Sequence, residues 1–391
     1  MPALVFAVIL AAASGGSMFG QESLNPIKTY LPSARMSALG GPHAALADDF
    51  SSLFNNPAGF SSVKPEMSLA EITTHLQGPV FDILSVIASS GGGDAESILL
   101  SPSVLDLLQG LYASMGLLGP VAFGYVGNGL GFGIFTSTDI VFANSAPLML
   151  SASAAEQLTI CGGYTFHIPI PEESPHSLDF GIMLKGILRG ELVFSRSFLE
   201  LPALFSSFSP ETFLQEPFMF TTAIGFDLGA RYSFRDVLSF GLAARNIYTP
   251  TLINTYTTMD GFLNSTEVPV KSTGLVPFDL SFGVVFSPVL GTLSRIFTDF
   301  KVLLDYNDIL DFVLRPAEAV HPILHLGLGL ELTLLDILSI RGGFYQGLFS
   351  AGLGLNLTIF TLNLSMFGSE LSTEPGLNPV YNIMLGLEFR I

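Results

Sequence analysis

The sequence predicts an all-β fold, a transmembrane antiparallel β-barrel of about 14 strands with a small N-terminal hatch (plug) and helical extracellular loops. The first observation is composition: the 391 residues are 49% hydrophobic with a mean hydropathy of +0.56. Outside the N-terminus, however, no uninterrupted apolar run approaches the roughly 20 residues that a spanning helix needs. A closed barrel is the other architecture that satisfies backbone polar groups within a bilayer.

Alternation of apolar and polar residues is the second observation. From Leu324 to Leu334 every even position is leucine, whereas the odd positions hold His325, Gly327, Gly329, Glu331 and Thr333. Such a strand turns its apolar side chains outward to lipid and its polar side chains inward. A water-soluble all-β protein remains the alternative, although a soluble sheet rarely carries leucine on successive outward positions.

The third observation is the number and spacing of these segments. They fall near 66–76, 121–127, 130–142, 156–168, 178–192, 219–234, 237–248, 278–287, 298–308, 323–335, 337–346, 350–358, 361–371 and 380–391. An even number with alternating short and long connections is typical of bacterial barrels, which have short periplasmic turns and long extracellular loops. We expect short amphipathic helices in the loops at 79–89 and 103–115. The protein is therefore expected in the bacterial outer membrane as a multi-pass barrel, with its hatch on the periplasmic side.

The chain divides into three predicted parts. Residues 1–20 carry an apolar run followed by small residues, which is typical of a signal peptide, with a short membrane anchor as the alternative. Residues 21–64 lack sustained alternation and form the predicted hatch. A helix is expected over Ala44 to Phe54, because Leu46, Phe50 and Phe54 recur at a spacing of four. Residues 65–391 form the predicted barrel.

Several function classes are excluded at this stage. A net charge of -18 with only 15 Lys and Arg argues against nucleic-acid binding, because phosphates are repelled. Cys161 is the single cysteine, so no intrachain disulfide can form. His321 and His325, four apart on a strand or at its entrance, lie about 13 Å apart, too far for a metal pair. We therefore expect neither an enzyme nor a metal or cofactor.

Two groups of residues are candidates for ligand contact. The first is inward charges, which either pair with one another as a structural ladder or leave an Arg or Lys free for a ligand carboxylate. They are Lys185, Arg189, Asp227, Arg231, Arg245, Asp299, Lys301, Asp305, Glu331, Arg341, Glu388 and Arg390, of which Lys185, Arg189, Asp227, Arg231, Glu331 and Arg341 are the candidates for the lumen. The second is an apolar loop, which either captures ligand or packs on itself at the barrel mouth. Its candidates are Phe194, Phe198, Leu201, Leu204, Phe205, Phe208 and Phe213.

The hatch contains the motif Asp48 and Asp49 followed by Asn56, Pro57, Ala58 and Gly59, directly before the first strand. It resembles the N-terminal hatch of FadL-type outer-membrane transporters of long-chain fatty acids and other hydrophobic compounds. PorV-type barrels, which serve protein secretion, share this hatch and fold.

The resemblance implies passive uptake of hydrophobic small molecules, such as long-chain fatty acids, which are captured by apolar loops and pass through a hatch-gated lumen. It also implies contact with outer-membrane lipids, and we expect a monomer. The alternative is a structural or secretion-associated barrel with no solute transport.

Overall fold

The computed structural model describes residues 25–79, 111–146, 149–171, 174–197, 210–235 and 237–390. The predicted signal peptide lies outside these residues, as does most of the loop that was predicted to be helical after the first strand. Among the described residues, no helix has the length and apolar character needed to cross a membrane.

The described residues form sixteen strands and a few short helices. The strands are β1 (Glu66–Gln77), β2 (Tyr112–Gly127), β3 (Leu130–Ala146), β4 (Met149–His167), β5 (His176–Ser197), β6 (Phe218–Phe234), β7 (Leu238–Arg245), β8 (Pro250–Tyr256), β9 (Val270–Leu275), β10 (Asp279–Phe286), β11 (Phe297–Tyr306), β12 (Leu326–Leu334), β13 (Leu338–Tyr345), β14 (Leu348–Asn356), β15 (Phe360–Glu370) and β16 (Pro379–Arg390). The helices are α1 (Ala34–Ala38), α2 (Ser52–Asn55), α3 (Pro210–Leu214), α4 (Met259–Leu263) and α5 (Asp311–Leu314). Single 3₁₀ turns cover Pro57–Ser61, Gly291–Arg295 and Pro322–His325.

The wall is a closed antiparallel barrel of 14 strands, as the sequence predicts. Each strand pairs with its neighbour, and β1 closes the barrel by pairing with β16. The hairpin β8–β9 is additional to the fourteen. Along β6, β7 pairs with Leu228–Phe234 and β8 pairs with Phe218–Ala223, so β7 and β8 lie end to end beside one strand.

Three predicted loops are partly strand in the structure. The hairpin β8–β9 lies between the predicted segments 237–248 and 278–287, where a loop was expected. β4 begins between the predicted segments 130–142 and 156–168, and β2 begins at Tyr112, within the predicted helix 103–115. Those predictions were wrong at these positions for one physical reason. β5 alone has 22 residues, whereas a membrane crossing takes about 9–11. Strand segments beyond the lipid need no apolar outward face, so their alternation fades.

The outer surface of the wall is apolar. On β5, Ile182 and Leu184 are 39% and 59% exposed, whereas their neighbours Met183 and Lys185 are 1% and 2% exposed. This pattern of exposed apolar and enclosed polar residues is what a barrel facing lipid requires. It recurs on β12, where Leu328 and Leu330 are exposed and Glu331 is buried.

The predicted helix from Ala44 to Phe54 is wrong, because only its end, within α2, is helical. The carboxylate of Asp49 accepts hydrogen bonds from the backbone N–H and hydroxyl of Ser51, which turns the chain just before α2. Leu46 belongs to one cluster with Val285 and Leu303 on the wall. Phe50 and Phe54 belong to another, in which their ring centroids lie 5.9 and 5.3 Å from that of Phe135. The spacing of four between Leu46, Phe50 and Phe54 therefore reflects contacts with two separate parts of the wall and not one face of a helix.

Candidate functional site: the hatch and the lumen cavity

Residues 25–64 lie inside the barrel. Helix α1 packs against β13 to β16, and the 3₁₀ turn Pro57–Ser61 packs against β2 to β6. The carbonyl of Phe60 accepts a hydrogen bond of 3.0 Å from Gly129 in the short β2–β3 turn. Farther from that turn, Asn25 donates to the carbonyl of Asp139 and accepts from Arg189. The hatch segment therefore runs through the lumen itself.

The turn at Asn56 to Ala58 is held by both hatch and wall. The side chain of Asn56 accepts a hydrogen bond from the N–H of Ala58 at 3.0 Å and donates to the carbonyl of Ala44 at 2.7 Å. Thr165 on β4 donates its hydroxyl to the carbonyl of Pro57 at 2.6 Å. On β5, a Cβ added to Gly181 would lie 2.2 Å from the backbone of Pro57, so only glycine fits there. This part of the motif is thus a rigid attachment of the hatch to the wall.

Arg35 ties the acidic part of the motif to β12. Its guanidinium donates to Asp48 at 2.8 Å, to Asp49 at 2.6 Å and to Glu331 at 2.8 Å. Lys301 on β11 adds an ion pair of 3.1 Å to Asp48. We call this cluster the Arg35 latch.

The charge states of the Arg35 latch follow from its contacts. Burial alone would raise the pKa of the Asp48 carboxyl, but Arg35 and Lys301 hold it well below its usual range. Burial alone would lower the pKa of Arg35, but Asp48 and Glu331 hold it well above its usual value. Arg35 and Asp48 therefore remain ionised across the physiological pH range.

A second attachment joins His43 to β11. The Nδ1 atom of His43 lies 2.6 Å from Asp305, its Nε2 lies 3.1 Å from the carbonyl of Leu39, and both side chains in the pair are fully buried. The other oxygen of Asp305 accepts a hydrogen bond of 2.7 Å from the N–H of Ala44. Asp305 was predicted only as an inward charge. Its partner His43 was not singled out, because the sequence gives no sign of a contact across 262 positions.

Close backbone contact completes the attachment. Gly40 has a φ of +87°, and its backbone lies against Gly343 on β13, where an added Cβ would lie 2.4 Å from the Gly40 nitrogen. Glycine is needed at position 40 because the backbone there is left-handed. It is needed at position 343 because the hatch backbone lies too close to β13 for a side chain.

Replacing Gly343 with alanine is expected to lower the free energy of unfolding by about 1–3 kcal/mol, because the hatch must move away from β13. Urea unfolding in lipid vesicles, followed by circular dichroism, measures the change. Gly342→Ala is the matched control, since the nearest atom to its added Cβ outside the adjoining residues is the carbonyl oxygen of Ser350, at 4.0 Å. Equal stability of the two variants would contradict the close contact.

The predicted lumen charges lie within the barrel and have partners there. Lys185 pairs with Asp227 at 2.8 Å, and Arg189 lies 3.3 Å from Glu191. Glu331 is shared between Arg35 and Arg341, the latter at 3.6 Å, and Arg341 also donates to Asn363 at 2.6 Å. Arg231 donates to the hatch, at the carbonyl of Ala45 and the hydroxyl of Ser62. The hatch supplies several of these partners, which the predicted ladder did not include.

Of the predicted ligand-capture residues, the described part of the chain contains Phe194 and Phe213. Their ring centroids lie 6.4 Å apart, so the C-terminal end of β5 contacts α3 through these two rings. Phe194 has the same parity along β5 as the exposed Leu184 and Leu188. The remaining candidates, Phe198, Leu201, Leu204, Phe205 and Phe208, lie outside the described residues.

A cavity of about 780 Å³ runs between the hatch and the wall. Its wall residues come mainly from β1, β2 and β13 to β16, and one end is lined by the β15–β16 loop at Leu371 and Ser372. Apolar side chains in the lining include Leu31, Met36, Leu348, Phe367 and Met384. Within the described ranges, no cluster of three or more His, Cys, Asp or Glu could hold a metal ion.

Three solved structures are similar to this chain in fold. The Pseudomonas putida toluene transporter TodX has 11% identity and a TM-score of 0.48, covering 94% of this chain and 99% of that one. The monoaromatic hydrocarbon channel CymD has 11% identity and a TM-score of 0.46, covering 91% and 97%. A Pseudomonas aeruginosa FadL homologue has 12% identity and a TM-score of 0.43, covering 93% and 99%.

No protein-family model matches the sequence, and no curated protein matches it. TM-scores below 0.5 are too low to transfer a function, so the function must be argued from the lumen.

Proposed function

We propose that this protein is an outer-membrane channel for the passive uptake of hydrophobic small molecules. The observation that carries the proposal is the cavity beside the hatch, inside a closed barrel with an apolar outer belt. Its volume of about 780 Å³ is within the range of small-molecule sites. An apolar solute gains about 25 cal/mol for each Å² that it removes from water, so the apolar part of the lining would hold it transiently.

Gating by the hatch is the second part of the proposal. The cavity is bounded by hatch residues from Asn25 to Asn55, and the Arg35 latch fixes α1 to the wall. The turn at Asn56 to Ala58 and the His43 pair fix the hatch at other places. A solute can pass when α1 leaves the wall, while the turn at Asn56 to Ala58 and the His43 pair keep the hatch in the barrel.

Long-chain fatty acids remain one predicted member of the solute class. A fatty acid needs a cation for its carboxylate. Lys28, Arg35 and Arg245 are the Lys and Arg side chains among the described cavity-lining residues, and each is ion-paired. The secretion-associated barrel without solute transport remains the alternative, and the same experiment tests both.

The test blocks the cavity from inside. Gln77 lines the cavity, whereas its neighbour Leu76 is 39% exposed on the outer face. Gln77→Trp is expected to reduce uptake of labelled decanol and decanoate by cells that carry the protein as their hydrophobic-solute channel, by about fivefold or more, because the indole fills the passage. Leu76→Trp, in the same strand, should leave uptake unchanged.

Cells without the protein set the background rate, and the amounts of both variants in the outer membrane are compared by immunoblot. Wild-type uptake no faster than this background would refute transport and favour the secretion-associated alternative. An equal loss in the Leu76 and Gln77 variants would refute the cavity as the route.

A further inference from the structure

The charges that line the cavity do not balance. Its described lining contains seven acidic side chains, Asp49, Glu71, Asp139, Asp279, Asp308, Glu370 and Glu388, against the three cations Lys28, Arg35 and Arg245. Four of the acids have a cationic partner, which is Arg35 for Asp49, Lys28 for Asp139, Arg245 for Asp279 and Arg315 for Asp308. Glu370 accepts hydrogen bonds from backbone N–H groups of the β15–β16 loop. Glu71 and Glu388 are the two that remain.

Glu71 and Glu388 face each other across the seam that closes the barrel. They are directly opposite in the ladder between β1 and β16, and Thr361 on β15 is directly opposite Glu388. Opposite residues on one face have Cβ atoms about 4.5–5.5 Å apart, and like charges in this position are destabilising. A group that supplies positive charge would offset this cost.

The contacts of this row are incomplete. Glu71 accepts one hydrogen bond, of 2.9 Å, from Thr73. Among the described residues, the buried Oε1 of Glu388 and the Oγ1 of Thr361 have no hydrogen-bond partner, and Thr361 is 6% exposed. Arg390, two residues beyond Glu388, is already paired with Glu66. Buried polar atoms normally have partners, so this row lacks a donor.

We propose that the row Glu71, Glu388 and Thr361 binds the protonated amine of a hydrophobic solute, an inference that rests on the proposed function. An ammonium group supplies three N–H donors and one positive charge, whereas a carboxylate has no donor and would add a further negative charge. The apolar part of the solute then lies along the seam toward Met384, which is four residues or about 13 Å from Glu388 along the strand. Phe367 and Leu348 continue this apolar lining.

The test compares three solutes of one length, decylamine, decanol and decanoate. The chain has no tryptophan, so Phe367→Trp places a single indole reporter in the cavity lining. In lipid nanodiscs at pH 7, the reporter protein is expected to bind decylamine about tenfold or more tightly than decanol, and decanol more tightly than decanoate, because one charge-assisted contact is worth at least one factor of ten.

Charge removal identifies the site. In the reporter protein, Glu71→Gln and Glu388→Gln should each reduce the preference for decylamine over decanol toward unity, and both should fold because they relieve like-charge repulsion. Glu156→Gln is the control, since Glu156 is exposed on the outer side and bonded to Thr138. A calcium chloride titration of the reporter protein tests for a bare cation at the same row.

The outcomes separate this inference from the proposed function. Equal binding of decylamine and decanol, or a preference unchanged in both glutamine variants, would overturn the amine site. Calcium binding that abolishes decylamine binding only when both glutamates are present would support the row as a cation site. If decanol enters cells through the cavity without any amine preference, the amine site fails and the channel stands. If no solute binds and no uptake occurs, the proposed function itself fails.

Discussion

Arg35→Ala is expected to lower the free energy of unfolding by about 3 kcal/mol and to raise the rate of hydrophobic-solute uptake. Breaking a buried charged pair costs about 3–5 kcal/mol, because the remaining charge stays buried. Arg35 forms ion pairs with Asp48, Asp49 and Glu331. We place the loss at the lower end because Lys301 and Arg341 still contact two of these carboxylates. Freed from β12, α1 should leave the cavity more often.

Urea unfolding in lipid vesicles measures the loss of stability, and labelled decanol measures uptake. Arg295→Ala, at an exposed position between β10 and β11, removes the same charge without touching the hatch. Because the pKa of Asp48 is depressed in the folded protein, its stabilising contribution is complete above about pH 3.9 and is lost as the pH falls through the folded-state pKa. The stability gap between variant and wild type should therefore narrow below about pH 3.9. Lower stability with unchanged uptake would refute gating by α1.

The barrel wall could be predicted from the sequence because its signal is local. A strand in lipid must alternate at every second residue, and Leu326 to Leu334 shows this without knowledge of any partner strand. The prediction was wrong for Leu324, which is buried in the 3₁₀ turn Pro322–His325 just before the strand. The hairpin β8–β9 could not be predicted, because it continues beside β6 where apolar outward residues are no longer required. The long strands β2 to β5 were predicted too short for the same reason.

The site was predicted only in part because its contacts join distant positions. Asp48, Asp49 and Asn56 were identified from the motif, and Glu331 from alternation. Arg35 and Glu331 are 296 positions apart, however, so a single sequence does not show that they touch. The sequence did contain one sign of the role of Arg35. Two adjacent acids in a segment enclosed by a barrel require a basic partner, and Arg35 is the arginine of residues 21–64.

The row Glu71, Glu388 and Thr361 shows a second limit on what can be predicted from the sequence. Glu388 was recognised as an inward charge, whereas Glu71 lies beyond a register shift between β1 and β16 at Ser68 and Ala70. This irregularity changes which residues of β1 point inward. Since one residue of slippage reverses the two faces of a strand, the pairing of Glu71 with Glu388 depends on a register that only the structure gives.

Lys185→Met is expected to destabilise the protein by about 3–5 kcal/mol, because it leaves Asp227 as an unpaired buried charge. Both residues are 2% exposed, and their charged atoms lie 2.8 Å apart. Asp227→Asn should cost a similar amount, since it leaves the ammonium of Lys185 without its carboxylate. The asparagine keeps an oxygen that can accept the hydrogen bond from the N–H of Asn246, which Asp227 accepts at 2.7 Å.

The double variant, Lys185→Met with Asp227→Asn, decides whether this pair stabilises the barrel or is merely tolerated in it. Neither variant side chain carries a charge, so most of the cost of the single variants should disappear and the double variant should lie within about 1–2 kcal/mol of wild type. Urea unfolding of all four proteins in lipid vesicles gives the coupling energy, expected to be about 4 kcal/mol or more. Additive losses would mean that water reaches both side chains. Since the two side chains lie between β5 and β6, away from the cavity lining, solute uptake should follow the amount of folded protein in all four cases.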